Sequence, residues 1–134
     1  MRFTKDIEYA LMACAAMDDQ IKPISAKEIS RRFQIPYELL SKILQNMSAH
    51  NDLKSIQGPK GGYVLNKTLE HLTIGDIVLA LRGDKSIADC VSIKGGQCPR
   101  FDKCVISPGM IKLQKIWDDI LFNISVKDFI KNEN

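Results

Sequence analysis

The feature that most limits the fold of this chain is the cluster Gly58-Pro59-Lys60-Gly61-Gly62, set between Leu53-Lys54-Ser55-Ile56-Gln57 and Tyr63-Val64-Leu65. Alternating apolar residues on both sides of turn-forming residues predict a β-hairpin. What precedes it is helical. Ser25-Ala26-Lys27-Glu28 has the spacing of a capping box and predicts a short helix to about Phe33, with Ile29 inward and Arg31 and Arg32 outward. Pro36 suits the first turn of the next helix, where its missing N–H is unpaired anyway. That helix continues through Leu39, Leu40, Ile43, Leu44 and Met47, over residues 36–48. Two short helices joined by a tight turn form a helix-turn-helix, and a hairpin directly behind it is a wing.

Around this unit the apolar spacing predicts three further segments. Thr4 is placed to cap a first helix to about Met17, with Ile7, Ala10, Leu11, Cys14 and Met17 on one stripe and Asp18-Asp19-Gln20 closing it. Thr73 and Asp76 open a helix through Ile77, Val78 and Leu81 that ends near Gly83. After Pro108-Gly109, Met110, Leu113, Trp117, Ile120 and Ile124 recur at three- and four-residue steps, broadened by Ile116 and Leu121. A terminal stripe of this kind covers its own core or a partner chain, and a homodimer contact is expected. The fold class is therefore mainly α with a small β-hairpin wing. Its expected parts are a winged helix-turn-helix over 1–66, a linker helix and cysteine loop over 67–106, and a dimerisation helix and tail over 107–134.

With 134 residues, 45% of them hydrophobic, the chain suits one domain or one small domain with an appendage. No apolar run approaches the ~20 residues that span a bilayer. No signal-peptide pattern opens the chain, so a cytoplasmic location without membrane contact is expected. The net charge of +3 is unevenly spread: residues 1–67 hold ten Lys/Arg against seven Asp/Glu, and residues 68–134 nine against nine. The whole excess lies in the half that carries the helix-turn-helix, as nucleic-acid contact requires.

Three of the four cysteines lie within fifteen residues, in Cys90-Val-Ser-Ile-Lys-Gly-Gly-Gln-Cys98-Pro-Arg-Phe-Asp-Lys-Cys104. The stretch is polar and glycine-bearing, so these thiols are not core filling, whereas Cys14 on its apolar stripe is a buried core thiol. In a reducing compartment such a cluster favours metal, iron–sulfur or redox chemistry over structural disulfides.

Met1-Arg2-Phe3-Thr4-Lys5, the helix-turn-helix, Gly58-Pro59-Lys60-Gly61-Gly62-Tyr63, the cysteine triplet and the long last helix, in this order, resemble the Rrf-type family of winged helix-turn-helix transcription regulators. The resemblance covers essentially the whole chain. It implies a homodimer on a double-stranded DNA operator, each subunit holding a two-iron (2Fe–2S) or four-iron (4Fe–4S) cluster through Cys90, Cys98 and Cys104. Thiolates are the usual ligands of such clusters, and the backbone at Gly95 and Gly96 could hydrogen-bond cluster sulfides. Some members supply a histidine shortly after the third cysteine, where this chain has Ser107. Others recruit a carboxylate from the partner subunit's first helix. Glu8 stands at that position with Asp6 a second candidate, and an open fourth site is the remaining option. Residues 36–48 would be the recognition helix, with Tyr37, Ser41, Lys42 and Gln45 toward bases or phosphates and Arg31, Lys54 and Lys60 positioning the backbone. Members commonly have arginine where Gln57 precedes the wing glycine; glutamine keeps hydrogen bonding but loses the charge that a narrow minor groove attracts.

The same cysteines also fit a cluster-free thiol switch, in which Cys98 and Cys104 form a disulfide and Lys94, Arg100 and Lys103 favour thiolates. A zinc site is poorly served by three cysteines without a nearby histidine. An enzyme is not expected. Gly58–Gly62 lacks the Lys-Ser/Thr and helix of a phosphate loop, and His50 and His71 join no nucleophile.

Overall fold

The computed structural model describes residues 3–18, 21–92 and 98–130. The expectations for Met1, Arg2, Asp19, Gln20, Lys94, Gly95 and Gly96 lie outside the described residues, as do residues 131–134. Five helices and one hairpin follow each other as α1 (Lys5–Met17), α2 (Ala26–Phe33), α3 (Tyr37–Ala49), β1 (Leu53–Ile56), β2 (Gly62–Leu65), α4 (Ile74–Arg82) and α5 (Ser107–Asn123). Single 3₁₀ turns occupy Asp89–Val91, Phe101–Lys103 and Val126–Phe129. The architecture is the expected mainly α winged helix-turn-helix with a long helix near its end.

Helix boundaries follow local chemistry, with informative departures. Ser25 Oγ accepts the Glu28 N–H at 3.1 Å, forming one half of the predicted capping box. At α4 both halves form, between Thr73 and Asp76. Thr4 does occupy the position before α1, but its hydroxyl makes no capping bond and instead meets the Asp6 carboxylate and the Arg82 guanidinium. A charged pair reaching across from α4 outcompetes the local amide. Pro36 sits one residue ahead of α3 rather than inside it. The helix-turn-helix turn is made by Gln34, whose φ of 55° places a non-glycine residue in the left-handed region. It is held by the Ile35 N–H on the Ser30 carbonyl at 3.0 Å and by Ser30 Oγ on the Ile35 carbonyl at 2.5 Å. Helix α5 begins at Ser107, three residues ahead of the expected start, because Pro108 falls in its first turn and interrupts no backbone bond there.

The hairpin pairs Leu53 with Leu65 and Ile56 with Gly62 in antiparallel register. Its tip closes through the Gly61 N–H on the Gly58 carbonyl at 2.9 Å. A bridge between Ile24 and Tyr63, with bonds of 3.1 and 2.8 Å, extends the wing by the segment leading into α2. Gly62 is needed there, since a Cβ would strike the Ile24 carbonyl and φ is +150°.

One apolar core joins α1 to α4 and includes Leu121 and Val126 from the chain's end. Helix α4 approaches α5 through Gly75, where a Cβ would overlap the Phe122 ring. Beyond α5 the chain turns back: Ile74 N–H donates to Ile124 O at 3.1 Å, Val126 N–H to Leu72 O at 2.7 Å, and Lys127 Nζ meets Asp18 at 2.8 Å. The predicted α5 stripe divides in two. Met110, Gln114, Trp117 and Leu121 face the chain's own core or loop, whereas Ile111, Leu113, Ile116 and Ile120 each remain close to half exposed.

A buried carboxylate fixes the wing to α3. Asp52 is fully buried, with Oδ2 at 2.9 Å from His50 Nδ1 and Oδ1 at 3.3 Å from Lys67 Nζ. Its N–H donates to Met47 O and its carbonyl accepts from Asn66, both at 3.0 Å. Removing the carboxylate strands no buried charge, because His50 and Lys67 both reach solvent, but its bonds to them are lost. Asp52→Ala should therefore lower unfolding stability by about 2 kcal/mol, seen as a lower urea midpoint with an unchanged slope.

Cys14 is fully buried, as its apolar stripe predicts. Burial, reinforced by the nearby Asp52 carboxylate, pushes its thiol up to about 12. The thiolate is the reactive form. Alkylation of native protein at pH 8 followed by peptide mapping should leave Cys14 unmodified until denaturant is added, while half-buried Cys90, Cys98 and Cys104 react.

Candidate nucleic-acid interface and cysteine loop

The amphipathic pattern of α3 decides what it offers outward. Leu40, Ile43, Leu44 and Met47 are buried, and the opposite side carries Tyr37, Ser41 and Gln45 at four-residue spacing, flanked by Lys42. Tyr37, Lys42 and Gln45 are exposed and Ser41 is half-buried. Arg31 is exposed at the end of α2. Lys54 on β1 and Gln57 and Lys60 at the wing tip are exposed as well. Within the described residues Arg31, Lys42, Lys54 and Lys60 make no ion pair, so their charge stays available to an external anion. Arg32 lies over the Phe33 ring at 5.3 Å. Tyr37 and Tyr63 are close neighbours where α3 meets the wing: burial, and secondarily Tyr37, push the Tyr63 hydroxyl above its usual range.

The cysteine loop is built in two arms that meet at α5. The first leaves α4 at Gly83, which adopts φ 67° as the helix cap. Asp84 then organises it, accepting the Ser86 N–H at 3.0 Å, the Ser86 hydroxyl, and the Ser92 hydroxyl at 2.7 Å. These bonds, Ser86 first, hold the Asp84 carboxyl below the usual carboxylate range. Cys90 lies within the Asp89–Val91 turn of this arm. The second arm runs from Cys98 through the Phe101–Lys103 turn to Cys104. There the Phe101 N–H donates to Cys98 O at 3.0 Å, and Ser107 Oγ donates to Cys104 O at 3.1 Å. Cys104 therefore sits three residues ahead of α5.

All three loop thiols are free and half-buried, unlike Cys14. As a donor set, three soft thiolates on polar loop arms fit a thiophilic metal centre or an iron–sulfur cluster. Among the described residues, no three His, Cys, Asp or Glu side chains lie close enough together to hold a metal ion. The carboxylates expected near such a centre are engaged elsewhere within the chain. Glu8 pairs with Lys5 at 3.0 Å. Asp6 pairs with Arg82 at 3.2 Å; although burial opposes its ionisation, bonds from Thr4, Arg82 and the Ile7 N–H outweigh that and lower its pKa. Ser107 caps backward onto Cys104 O.

Sequence reasoning missed the groups that hold these parts in place. Asp52 carries no pattern signal, since it follows a helix end like any surface aspartate. Asp84 two residues before Ser86, just past a helix-capping glycine, is a legible turn signal. Gln114 is legible too, as the polar residue on the inward side of α5 with Trp117 and Leu121. Among the described residues no helix is long and apolar enough to cross a membrane.

Comparison with known proteins agrees with the fold. The HTH-type transcriptional regulator IscR of Klebsiella pneumoniae is 27% identical over 136 residues, spanning 99% of this chain and 82% of the relative. Among solved structures, IscR of T. potens covers 96% of this chain and 85% of its own at 21% identity, with a TM-score of 0.70. The B. subtilis global cysteine regulator CymR covers 96% of this chain and 95% of its own at 19% identity, with a TM-score of 0.66. At such identities the two structures establish the fold alone. The family model described as Rrf2, iron-dependent transcriptional regulator, matches residues 3–132, and the chain belongs to this Rrf2 family of transcriptional regulators.

Proposed function

We propose that this regulator is a homodimer that reads a double-stranded DNA operator and senses iron, redox state or nitric oxide through an iron–sulfur cluster held by Cys90, Cys98 and Cys104. The observation that carries the reading is the contrast among the cysteines: one is buried in the core, and three are free and half-buried on loop arms joined to α5. When bound, a two-iron or four-iron centre supplies chemistry that responds to iron supply, oxidants and nitric oxide. The chain's own contribution is to hold three thiols on arms attached to the helix with an uncovered apolar face. That face, Ile111, Leu113, Ile116 and Ile120, supports the dimer, in which Glu8 of the partner subunit is the proposed fourth ligand.

On DNA, α3 enters the major groove with Tyr37, Ser41, Lys42 and Gln45 toward base edges and nearby phosphates. Arg31, Lys54 and Lys60 position the backbone, and Gln57 approaches the minor groove. Two-fold symmetry gives a pseudo-palindromic operator with half-sites about 34 Å apart, or a multiple of that.

A second reading uses the same thiols without iron. Cys98 and Cys104 are separated by only one 3₁₀ turn, so their oxidation to a disulfide would reshape the lead into α5. The absence of a three-donor group among the described residues, and the likeness of fold to CymR, suit this reading equally.

Two measurements test these assignments. In binding titrations across salt concentrations, Lys60→Ala should weaken all sites alike and reduce the salt slope by about 1. Gln45→Ala should cost about 1–3 kcal/mol and relax preference at one base pair. Equal effects of both on every sequence would remove α3 from the reading role. For the sensor, anaerobically purified protein should be brown with matching iron and acid-labile sulfide, and Cys98→Ser should lose both. A colourless protein that also resists anaerobic reconstitution overturns the cluster and leaves the thiol switch.

A further inference from the structure

Gln114 is one of two buried polar side chains among the described residues, and nothing in the helix-turn-helix or wing requires it. All its amide groups are used. Oε1 accepts the Ile87 N–H at 2.8 Å, and Nε2 donates to Asp118 Oδ1 at 2.8 Å and to Lys85 O at 3.4 Å. Asp118 in turn pairs with Lys85 Nζ at 2.5 Å. Two partners, Lys85 and Ile87, belong to the arm that carries Cys90, while Gln114 and Asp118 belong to α5. The other arm, with Cys98 and Cys104, runs directly into the start of α5. The helix is thus a shared strut, and Gln114 is where the Cys90 arm is fastened to it two turns from Ser107. The fastening is specific in register. The Ile87 N–H lies three residues before Cys90, and Ser86 Oγ continues the chain of bonds to Val91 O at 3.3 Å.

We propose that Gln114 is a positioning residue for the cysteine loop, holding the Cys90 arm against α5 so that the Cys90 thiol can meet those of Cys98 and Cys104. Its significance for sensing rests on the reading of the three cysteines as one site. Before anything binds, the two arms are separate segments whose encounter costs conformational entropy; fastening both to one rigid helix lowers that cost and raises their effective concentration. The Cys98–Cys104 pair, seven residues of one arm, does not depend on the clamp. A residue important only for general stability would affect both pairs.

The test measures those effective concentrations without iron. In metal-free full-length protein, Cys98→Ser isolates the Cys90–Cys104 pair and Cys90→Ser isolates Cys98–Cys104. Each is equilibrated anaerobically with glutathione and its disulfide. For every intramolecular disulfide formed, two protein thiols lose two electrons and two protons and one glutathione disulfide becomes two glutathiones. The ratio of species gives the effective concentration. Gln114→Leu should lower that of Cys90–Cys104 by about tenfold and leave Cys98–Cys104 within about twofold. The double change Gln114→Glu with Asp118→Asn keeps the acceptor for Ile87 N–H and reverses the 114–118 bond, and it should restore most of the loss. Protection of Cys14 from alkylation reports folding, and Gln114→Met serves if the leucine variant fails that check. Unchanged values, or equal losses in both pairs, overturn the proposal. The cluster reading is judged separately, by iron and sulfide in the unaltered protein, so either idea can fail alone.

Discussion

Asp52 is the residue on which the join between α3 and the hairpin depends. Its carboxylate is withdrawn from water and survives there because His50 and Lys67 both reach it. A charge of this kind is strongly disfavoured in a protein interior unless paired and hydrogen-bonded. Its three anchors come from different places: the last turn of α3, the residues that follow β2, and its own backbone at the start of β1. Together they tie the end of α3 to both strands of the hairpin. Asn51, at φ 67°, reverses the chain so that this can happen, and Asn66 Nδ2 secures the Asn51 carbonyl at 2.9 Å. Helix α3 and the hairpin are thereby held as one body. The cost is a tight, polar join inside an apolar core, next to the Cys14 thiol.

The opposite end of the molecule is organised by the same means with a different consequence. Gln114, Asp118, Lys85 and Asp84 form a polar seam between α5 and the loop that leaves α4. Most of its members are half-buried rather than sealed, and its bonds run to a loop rather than between core elements. Such a seam is less shielded from water than the Asp52 join. Arg82, in the last turn of α4, adds contacts to Asp6 and Thr4 at the start of α1.

The division of the α5 stripe is the clearest case in which periodicity was informative but incomplete. Three- and four-residue spacing identified an amphipathic helix without showing that it has two apolar sides. Trp117 and Leu121 serve the chain's own core, and Leu113, Ile116 and Ile120 point away from it. A hydrophobic residue at a helical step looks the same in either role. Gln114 among them breaks the pattern, and only its partners, Lys85 and Ile87 in the loop that leaves α4 and Asp118 on α5 itself, explain why a polar group belongs on that line.

The sequence by itself determined the elements of this protein whose causes are local. Ser25 before Glu28, Thr73 before Asp76, and glycines with proline between alternating strands each act within a few residues, and the helix-turn-helix, wing and cysteine triplet were legible for that reason. The order of those motifs also carried the family. Only the tertiary structure decided which polar groups would be buried and with whom: Asp52 with Lys67, and Gln114 with Ile87. Those pairings join residues far apart in sequence, and their energies depend on exclusion of water by elements that exist only after folding. The same reason governs the separation of the thiols. Cys14 lies on a helical stripe that the sequence marks as inward, whereas the placement of Cys90, Cys98 and Cys104 on two arms of one strut depends on how α4, α5 and the loop close upon each other.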